Sequence, residues 1–425
     1  MKVAFYTLGC KLNQAETESL IGQFSHSGFQ IVPPNDAADI YIANTCTVTH
    51  IADRKSRHWL RLARRRNPRA LIVATGCYAQ RGCQELTQLA DLVVDNTEKQ
   101  HLLAIIQAIS LEERVLDDSE AKPSRVLAAT VRTRSLIKIQ DGCHGPCTYC
   151  IVPKVRPHEY SLPASQIIDE VKQKVALGYK EVVLTGTKVG SYRDGSVDLR
   201  NLVQIILDDT SIARLRLSSL QPSEISSELL ALWQDERLCR HFHLALQSGS
   251  ETVLQRMRRS YSADQYQRTV NLIKEQIPET AITTDIMVGF PGESDEEFEQ
   301  SYYFCQQTGF ANIHVFPFSP RPETAAAEMS GQIKDKVKQE RNQRMLELSR
   351  SCRRRFCEQF LGQIMPVLWE QETSPGNGIY SGLTSNYIRV FAHSEKPLSN
   401  EITPVKLVGF YNKGILGEIV DENPG

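Results

Sequence analysis

Residues 135–155 read SLIKIQDGCHGPCTYCIVPKV. A short apolar run, SLIKIQ, leads into three cysteines spaced C-x3-C-x2-C: Cys143, Cys147 and Cys150. Apolar runs of this length bounded by turn residues read as buried strands, so the thiols sit in the loop leaving a strand's carboxyl end. Thiolates are the normal ligands of iron–sulfur clusters. Three of them can hold three irons of a cubane and leave the fourth iron open to a small chelating molecule. A zinc site usually presents four ligands in paired C-x2-C spacings. No second pair follows here, and His144 lies inside the triplet, where it would crowd the ion.

Downstream of this strand the chain alternates. Candidate strands are SLIKIQ, KEVVLTG, RLRLSS, HFHLALQ, AITTDIMVG and NIHVFPF, with helices between them at 164–177, 199–208, 226–234, 251–258, 264–276 and 294–308. Six strand–helix repeats predict a parallel, partly closed (β/α)6 barrel. Upstream, VAFYTL, DIYIAN, ALIVAT and DLVVD alternate with helical stretches at 14–27, 50–66 and 98–109. That pattern predicts an open parallel-sheet α/β domain. A charged helical stretch at 333–361 precedes five β-rich segments with Gly, Asn and Pro turns, expected to form a small β-barrel. The expected division is 1–112, a linker at 113–133, 134–361 and 362–425, and the class is α/β throughout the first two parts.

Ligands of parallel α/β folds bind at the carboxyl ends of strands. Thr185 and Gly186, then Gln247, Ser248 and Gly249, then Asp285, Gly289 and Pro291 fall in such segments. Each alone reads equally well as an ordinary turn. Cys10, Cys46 and Cys77 each follow an upstream strand by a residue or two, so all three thiols project from one sheet edge if the strands are parallel neighbours. The other five cysteines, Cys83, Cys239, Cys305, Cys352 and Cys357, have no ligand-like spacing and read as small buried hydrophobes.

Composition sets the limits. The 425 residues exceed one typical domain of roughly 100–200 residues. Lys+Arg number 49 against 50 Asp+Glu, so any nucleic-acid surface must be local. The start, MKVAFYTLGC, lacks a signal-peptide pattern, and no apolar run approaches the ~20 residues of a membrane helix. The expected location is cytoplasmic, where thiols stay reduced. Residues 53–69 carry eight Lys/Arg and one acid, a helix suited to a phosphate backbone; Arg64, Arg65 and Arg66 lie on it, and Trp59 either packs or stacks. Arg353, Arg354 and Arg355 form a second basic cluster. Residues 362–425 hold four Lys/Arg and seven Asp/Glu, which leaves Tyr380, Tyr387, Arg389 and Lys406 as contacts by stacking and shape.

The triplet resembles that of the radical S-adenosylmethionine (SAM) superfamily. That resemblance implies a [4Fe–4S] cluster on Cys143, Cys147 and Cys150, SAM on its open iron, and Tyr149 beside the cofactor's adenine. LGCKLNQAETE, ANTCTVT and TGCYAQ resemble the amino-terminal domain of the methylthiotransferases, which share the radical module and end in a TRAM domain. The resemblance spans nearly the whole chain. It implies a second [4Fe–4S] cluster on Cys10, Cys46 and Cys77, tRNA as partner, and a reductant such as a flavodoxin-type donor. Lys11, Leu12, Asn13 and Gln14 resemble the branch acting on N6-threonylcarbamoyladenosine beside the anticodon. Isopentenyladenosine and a ribosomal-protein aspartate are the alternative targets. A non-catalytic iron–sulfur RNA-binding protein is the alternative class. The family usually continues past the triplet with Arg-Gly and further arginines and serines. Here the stretch is KVRPHEYSLP: Arg156 keeps its place, while Pro157, His158, Glu159, Tyr160 and Leu162 depart.

Overall fold

The computed structural model describes residues 1–114 and 133–420, so most of the expected linker lies outside the described residues. The amino-terminal part is a five-stranded, wholly parallel sheet with strands β1 (Lys2–Thr7), β2 (Gln30–Val32), β3 (Ile40–Thr45), β4 (Leu71–Gly76) and β5 (Leu92–Val93) in the order β2-β1-β3-β4-β5. Helix α1 (Lys11–His26) and the helix Leu102–Arg114 cover one face; helix α2 (His50–Arg66) covers the other. Strand β2 escapes a sequence reading because QIV is short and runs into two prolines. Trp59 packs: its ring stacks on Tyr6 at 4.6 Å and meets Tyr41 edge-on. It is buried, so it is not a surface for bases.

The second part holds the six expected strands, Arg134–Lys138, Glu181–Thr185, Arg214–Leu217, His241–Leu244, Ala281–Val288 and Asn312–Pro317. All pairings among them are parallel, and a bridge from Leu215 to Leu238 marks the turn from the first three strands to the last three. Alternate residues point outward into one large aliphatic core, including Ile137, Leu184, Leu217, Phe242 and Ile286. Serine caps start two of the covering helices: Ser262 with Gln265 and Ser294 with Glu297 form reciprocal capping boxes. The long helix Asp335–Glu358 is stitched to the last strand by Ser349, whose hydroxyl accepts from Ile313 N at 3.1 Å and donates to Ile313 O at 2.8 Å. Cys239, Cys305, Cys352 and Cys357 are buried as expected, whereas Cys83 is exposed at the start of the short helix Cys83–Leu86.

The carboxy-terminal part is a closed five-stranded barrel around fully buried Trp369, whose indole donates to Thr403 Oγ1 at 2.8 Å. It docks on the amino ends of the half-barrel strands. Arg214 donates to Leu383 O and Pro366 O, and Arg216 to Ser385 O. Arg216 also grips Glu181 through two bonds of 2.8 and 3.2 Å with neither side chain exposed. Removing one partner strands a buried charge. Arg216→Met is therefore expected to lower stability by about 3–5 kcal/mol in urea unfolding; a loss under about 1 kcal/mol would show the pair to be dispensable.

Candidate functional site

The strands β1, β3 and β4 are neighbours, and Cys10, Cys46 and Cys77 leave their carboxyl ends. Gly9 and Gly76 make this possible. Both adopt left-handed backbone (φ +109 and +94), and a Cβ on Gly9 would lie 3.0 Å from Cys46 Sγ. The thiols thus crowd one edge. Cys46 and Cys77 are buried; Cys10 keeps an exposed surface. Burial pushes the Cys46 thiol up to about 12, with Cys77 and Cys10 adding to the rise.

On the half-barrel side, Gly145 N donates to Cys143 Sγ at 3.2 Å, and Arg259 donates to Cys147 Sγ at 3.2 Å. Burial pushes Cys150 up to about 12. The Cys46 and Cys150 thiols thus carry protons at neutral pH until a metal displaces them. Among the described residues no three such side chains gather at single-ion spacing. A cubane asks less convergence than a lone zinc, since each thiolate takes a different iron.

The segments carrying the two sets meet. Cys77 packs against Ile151 and Val155, one and five residues after Cys150. Asn96 bridges them, donating to Val155 O at 2.8 Å and lying 3.8 Å from Cys77 Sγ. Beneath runs a buried ionic network. Arg156 donates to both Asp141 oxygens (2.7 and 2.8 Å), to both Glu16 oxygens (2.8 and 3.0 Å) and to Asn13 Oδ1 (2.9 Å). Lys99 binds Glu16 at 2.6 Å, and Lys138 binds Asp141 at 3.0 Å. Burial alone would push the Glu16 carboxyl up; Lys99, Arg156 and Lys138 together hold it well below the carboxylate range. A cleft of about 500 Å³ opens along this junction, lined by Glu16, Asn96, Lys99, Asp141, Arg156 and Tyr160.

The expected cofactor residues divide. Gln247 takes a left-handed backbone (φ +70), uncommon for a residue with a side chain, and its backbone bonds to Asp285 O and Met287 N. Its Oε1 is buried without a partner among the described residues, as are Thr187 Oγ1 and Glu224 Oε1. These three atoms follow three consecutive strands at their carboxyl ends, where a polar small molecule fits. Tyr149 joins an apolar wall with Phe316 and Met329. Thr185 and Gly186 lie against the strand end, where a Cβ on Gly186 would meet Gln140 O at 2.8 Å. Gly249 leaves no room for a side chain beside Phe304, and Gly289 N donates to Glu293.

Two expectations change. Ser248 is fully buried and bonded to Ser301, so it fixes a helix. Asp285 is not at a strand end: it sits within Ala281–Val288 and binds His243 Nε2 at 3.2 Å. Arg259, Asn96 and the pair His241 and His243 were not singled out from sequence. The histidines carried a signal, because HFH places both on one face of a strand.

The expected RNA contacts divide as well. Arg64 is engaged with Asp91 and two carbonyls, and Arg66 with Pro34 O and Asn35. Arg65 is exposed and has no hydrogen bond or ion pair among the described residues, and the same holds for Arg54 and Arg61, one stripe of α2. Tyr387 is tucked against the half-barrel, stacked on His241 at 4.5 Å under Arg216. Arg389 pairs with Glu370 at 2.7 Å, Arg354 pairs with Glu358 and covers Phe410, and Arg353 is half-buried. Internal packing occupies Tyr387, whereas Arg389 is paired but partly exposed.

A thiol triplet after the first strand of a six-stranded parallel half-barrel, with unpartnered polar atoms at later strand ends, defines a radical SAM enzyme. Accordingly, residues 137–305 match the Radical SAM superfamily, and residues 2–95 match the uncharacterized protein family UPF0004. The chain is 36% identical over 99% of its length to the threonylcarbamoyladenosine tRNA methylthiotransferase MtaB of Bacillus subtilis, covering 97% of that protein. It is 39% identical to its Aquifex aeolicus counterpart, covering 92% of this chain and 96% of that one. A tRNA-2-methylthio-N(6)-dimethylallyladenosine synthase of Syntrophotalea carbinolica is 33% identical over 98% of the chain and is covered in full. The chain belongs to the MtaB-type family of radical SAM methylthiotransferases. In fold it is similar to the radical SAM methyltransferase TsrM of Kitasatospora setae (TM-score 0.58, 14% identity, 77% of each chain covered). No helix among the described residues is long and apolar enough to cross a membrane.

The depressed Glu16 carboxyl gives a signed pH dependence. Its stabilisation is fully present above the ordinary glutamate value of 4.5 and is lost as pH falls through its lower folded value. Glu16→Gln is expected to cost about 3 kcal/mol at neutral pH and to flatten the acid transition below it. Circular dichroism against pH measures both, and an unchanged acid transition would refute the clamp.

Proposed function

We propose that this enzyme inserts a methylthio group at C2 of N6-threonylcarbamoyladenosine at position 37 of tRNA, using two [4Fe–4S] clusters. The packing of Cys77 on the segment that follows Cys150 supports this reading, because it brings a loop of one cysteine set against the chain that leaves the other. Bound iron–sulfur and SAM supply a carbon-centred radical, which C2–H activation needs because that bond has no useful acidity. The chain supplies the rest. Cys143, Cys147 and Cys150 hold one cluster; Cys10, Cys46 and Cys77 hold the other. Arg259, bonded to Cys147, places a fixed positive charge against thiolate. Thr187, Glu224 and Gln247 offer polar atoms to SAM, and Tyr149 offers an apolar face to its adenine. The exposed stripe of Arg54, Arg61 and Arg65 takes tRNA phosphate. A flavodoxin-type protein is the expected reductant.

Cys147→Ala is expected to abolish 5′-deoxyadenosine formation. Cys46→Ala is expected to keep it and to lose methylthio product. Methylthio product from the Cys46 variant would end the two-cluster division. Mass spectrometry of tRNA nucleosides from a deletion strain tests the substrate: loss of methylthio-threonylcarbamoyladenosine is expected, and loss of the dimethylallyl derivative instead would assign the other branch.

Reversing Arg54, Arg61 and Arg65 to Glu is expected to weaken tRNA binding and to reduce the log–log salt slope by about two to three. An unchanged slope would place the RNA elsewhere.

A further inference from the structure

The half-barrel is open on one side, and α1 of the amino-terminal part closes it. Ala15 packs against Leu136 and Val183 on the inner wall, and Glu18 accepts from Leu136 N at 3.2 Å. Lys11 lies four residues before Ala15, on the same helix face and next to Cys10. It therefore faces the chamber inside the half-barrel. Its electrostatic neighbours there include Tyr387, Arg216, Arg134 and Glu181, and it acts in turn on His241, His314 and Asp285.

The anions there are already engaged. Glu181 is held twice by Arg216. Glu370 is shared by Arg134 and Arg389. Asp285 binds His243. Lys11 has no hydrogen bond or ion pair among the described residues, and His314 across the chamber has no hydrogen bond either. A half-buried ammonium without a counter-ion is costly, and an incoming anion relieves that cost.

The two base modifications named for the relatives differ in this respect. A dimethylallyl group is all carbon and suits an apolar pocket. A threonylcarbamoyl group ends in a carboxylate, ionised at neutral pH. The chamber wall, made of lysine, arginine, histidine and aspartate, fits the second.

We propose that Lys11 recognises the carboxylate of the threonylcarbamoyl group and so selects that substrate over the dimethylallyl one. This assignment rests on the substrate reading above.

The test compares binding of two anticodon stem-loop RNAs, one with threonylcarbamoyladenosine and one with plain adenosine, to cluster-loaded wild type, Lys11→Met and Lys11→Arg. Fluorescence anisotropy gives the affinity ratio, and product formation gives KM and kcat separately. Because the readout is a ratio on one protein, a smaller folded fraction cancels. Lys11→Met is expected to lose about tenfold in the ratio and to raise KM, as loss of a charged hydrogen bond would, with Lys11→Arg recovering most of it. A wild-type ratio in Lys11→Met overturns the assignment while leaving the substrate reading intact. A wild-type enzyme that neither prefers nor modifies the threonylcarbamoyl RNA overturns both.

Discussion

The buried guanidinium of Arg156 is the constraint on which the rest depends. It belongs to the half-barrel, yet three of its five bonds go to Asn13 and Glu16 of the other domain. A charge this deeply placed is tolerable only with its partners in position. The network is therefore weak as a source of net stability and strong as a source of register. It fixes α1 against the first half-barrel strand, and α1 begins at Cys10. Register between the thiol sets follows from it. A second buried pair, Arg321 with Asp53 and Thr47, ties the domains on the other side of the same junction. Two ionic fasteners on either side of one apolar contact leave little freedom to rock.

The same economy shapes the inside of the half-barrel. Outward residues are aliphatic because helices cover them, and many inward ones, such as Arg134, Arg214, Arg216, His241 and His243, are polar. Arg134, Arg214 and Arg216 bind the carboxy-terminal barrel, so the amino ends of these strands are a docking floor. Further up, polar side chains lack protein partners. The transition from satisfied to unsatisfied polar atoms marks where packing ends and chemistry can begin.

The strands and the cysteine sets were legible because each has a local signature: an apolar run, or a spacing. The order of β1, β3 and β4 was implied by the parallel reading, and the three thiols do share an edge. What escaped depends on distant residues. Nothing local distinguishes Arg64, spent on Asp91, from Arg65, exposed at the surface. Tyr387 read as an RNA contact because a small barrel was considered alone, while docking on the half-barrel claims its ring. Cys83 read as core because cysteines usually are, and its short helix faces solvent. Lys11 was visible as part of a distinctive string, but its surroundings come from three separate domains.

The unusual stretch after the triplet takes on a different meaning in this light. Arg156, the residue retained, is the one whose neighbours lie in another domain. The departing residues mostly contact the half-barrel itself. Tyr160 accepts from Lys138 at 2.9 Å, and Glu159 accepts from His144 N at 3.1 Å, within the triplet loop. His158 and Pro157 line the cleft rather than the thiol edge. Substitutions confined to such local contacts can be absorbed by their immediate neighbours, because no second domain must move with them. A change at Arg156 would have to be matched by Asn13, Glu16 and Asp141 at once. The departures of this chain thus fall mostly at residues with local contacts, and the shared position is the one where two domains share one charge.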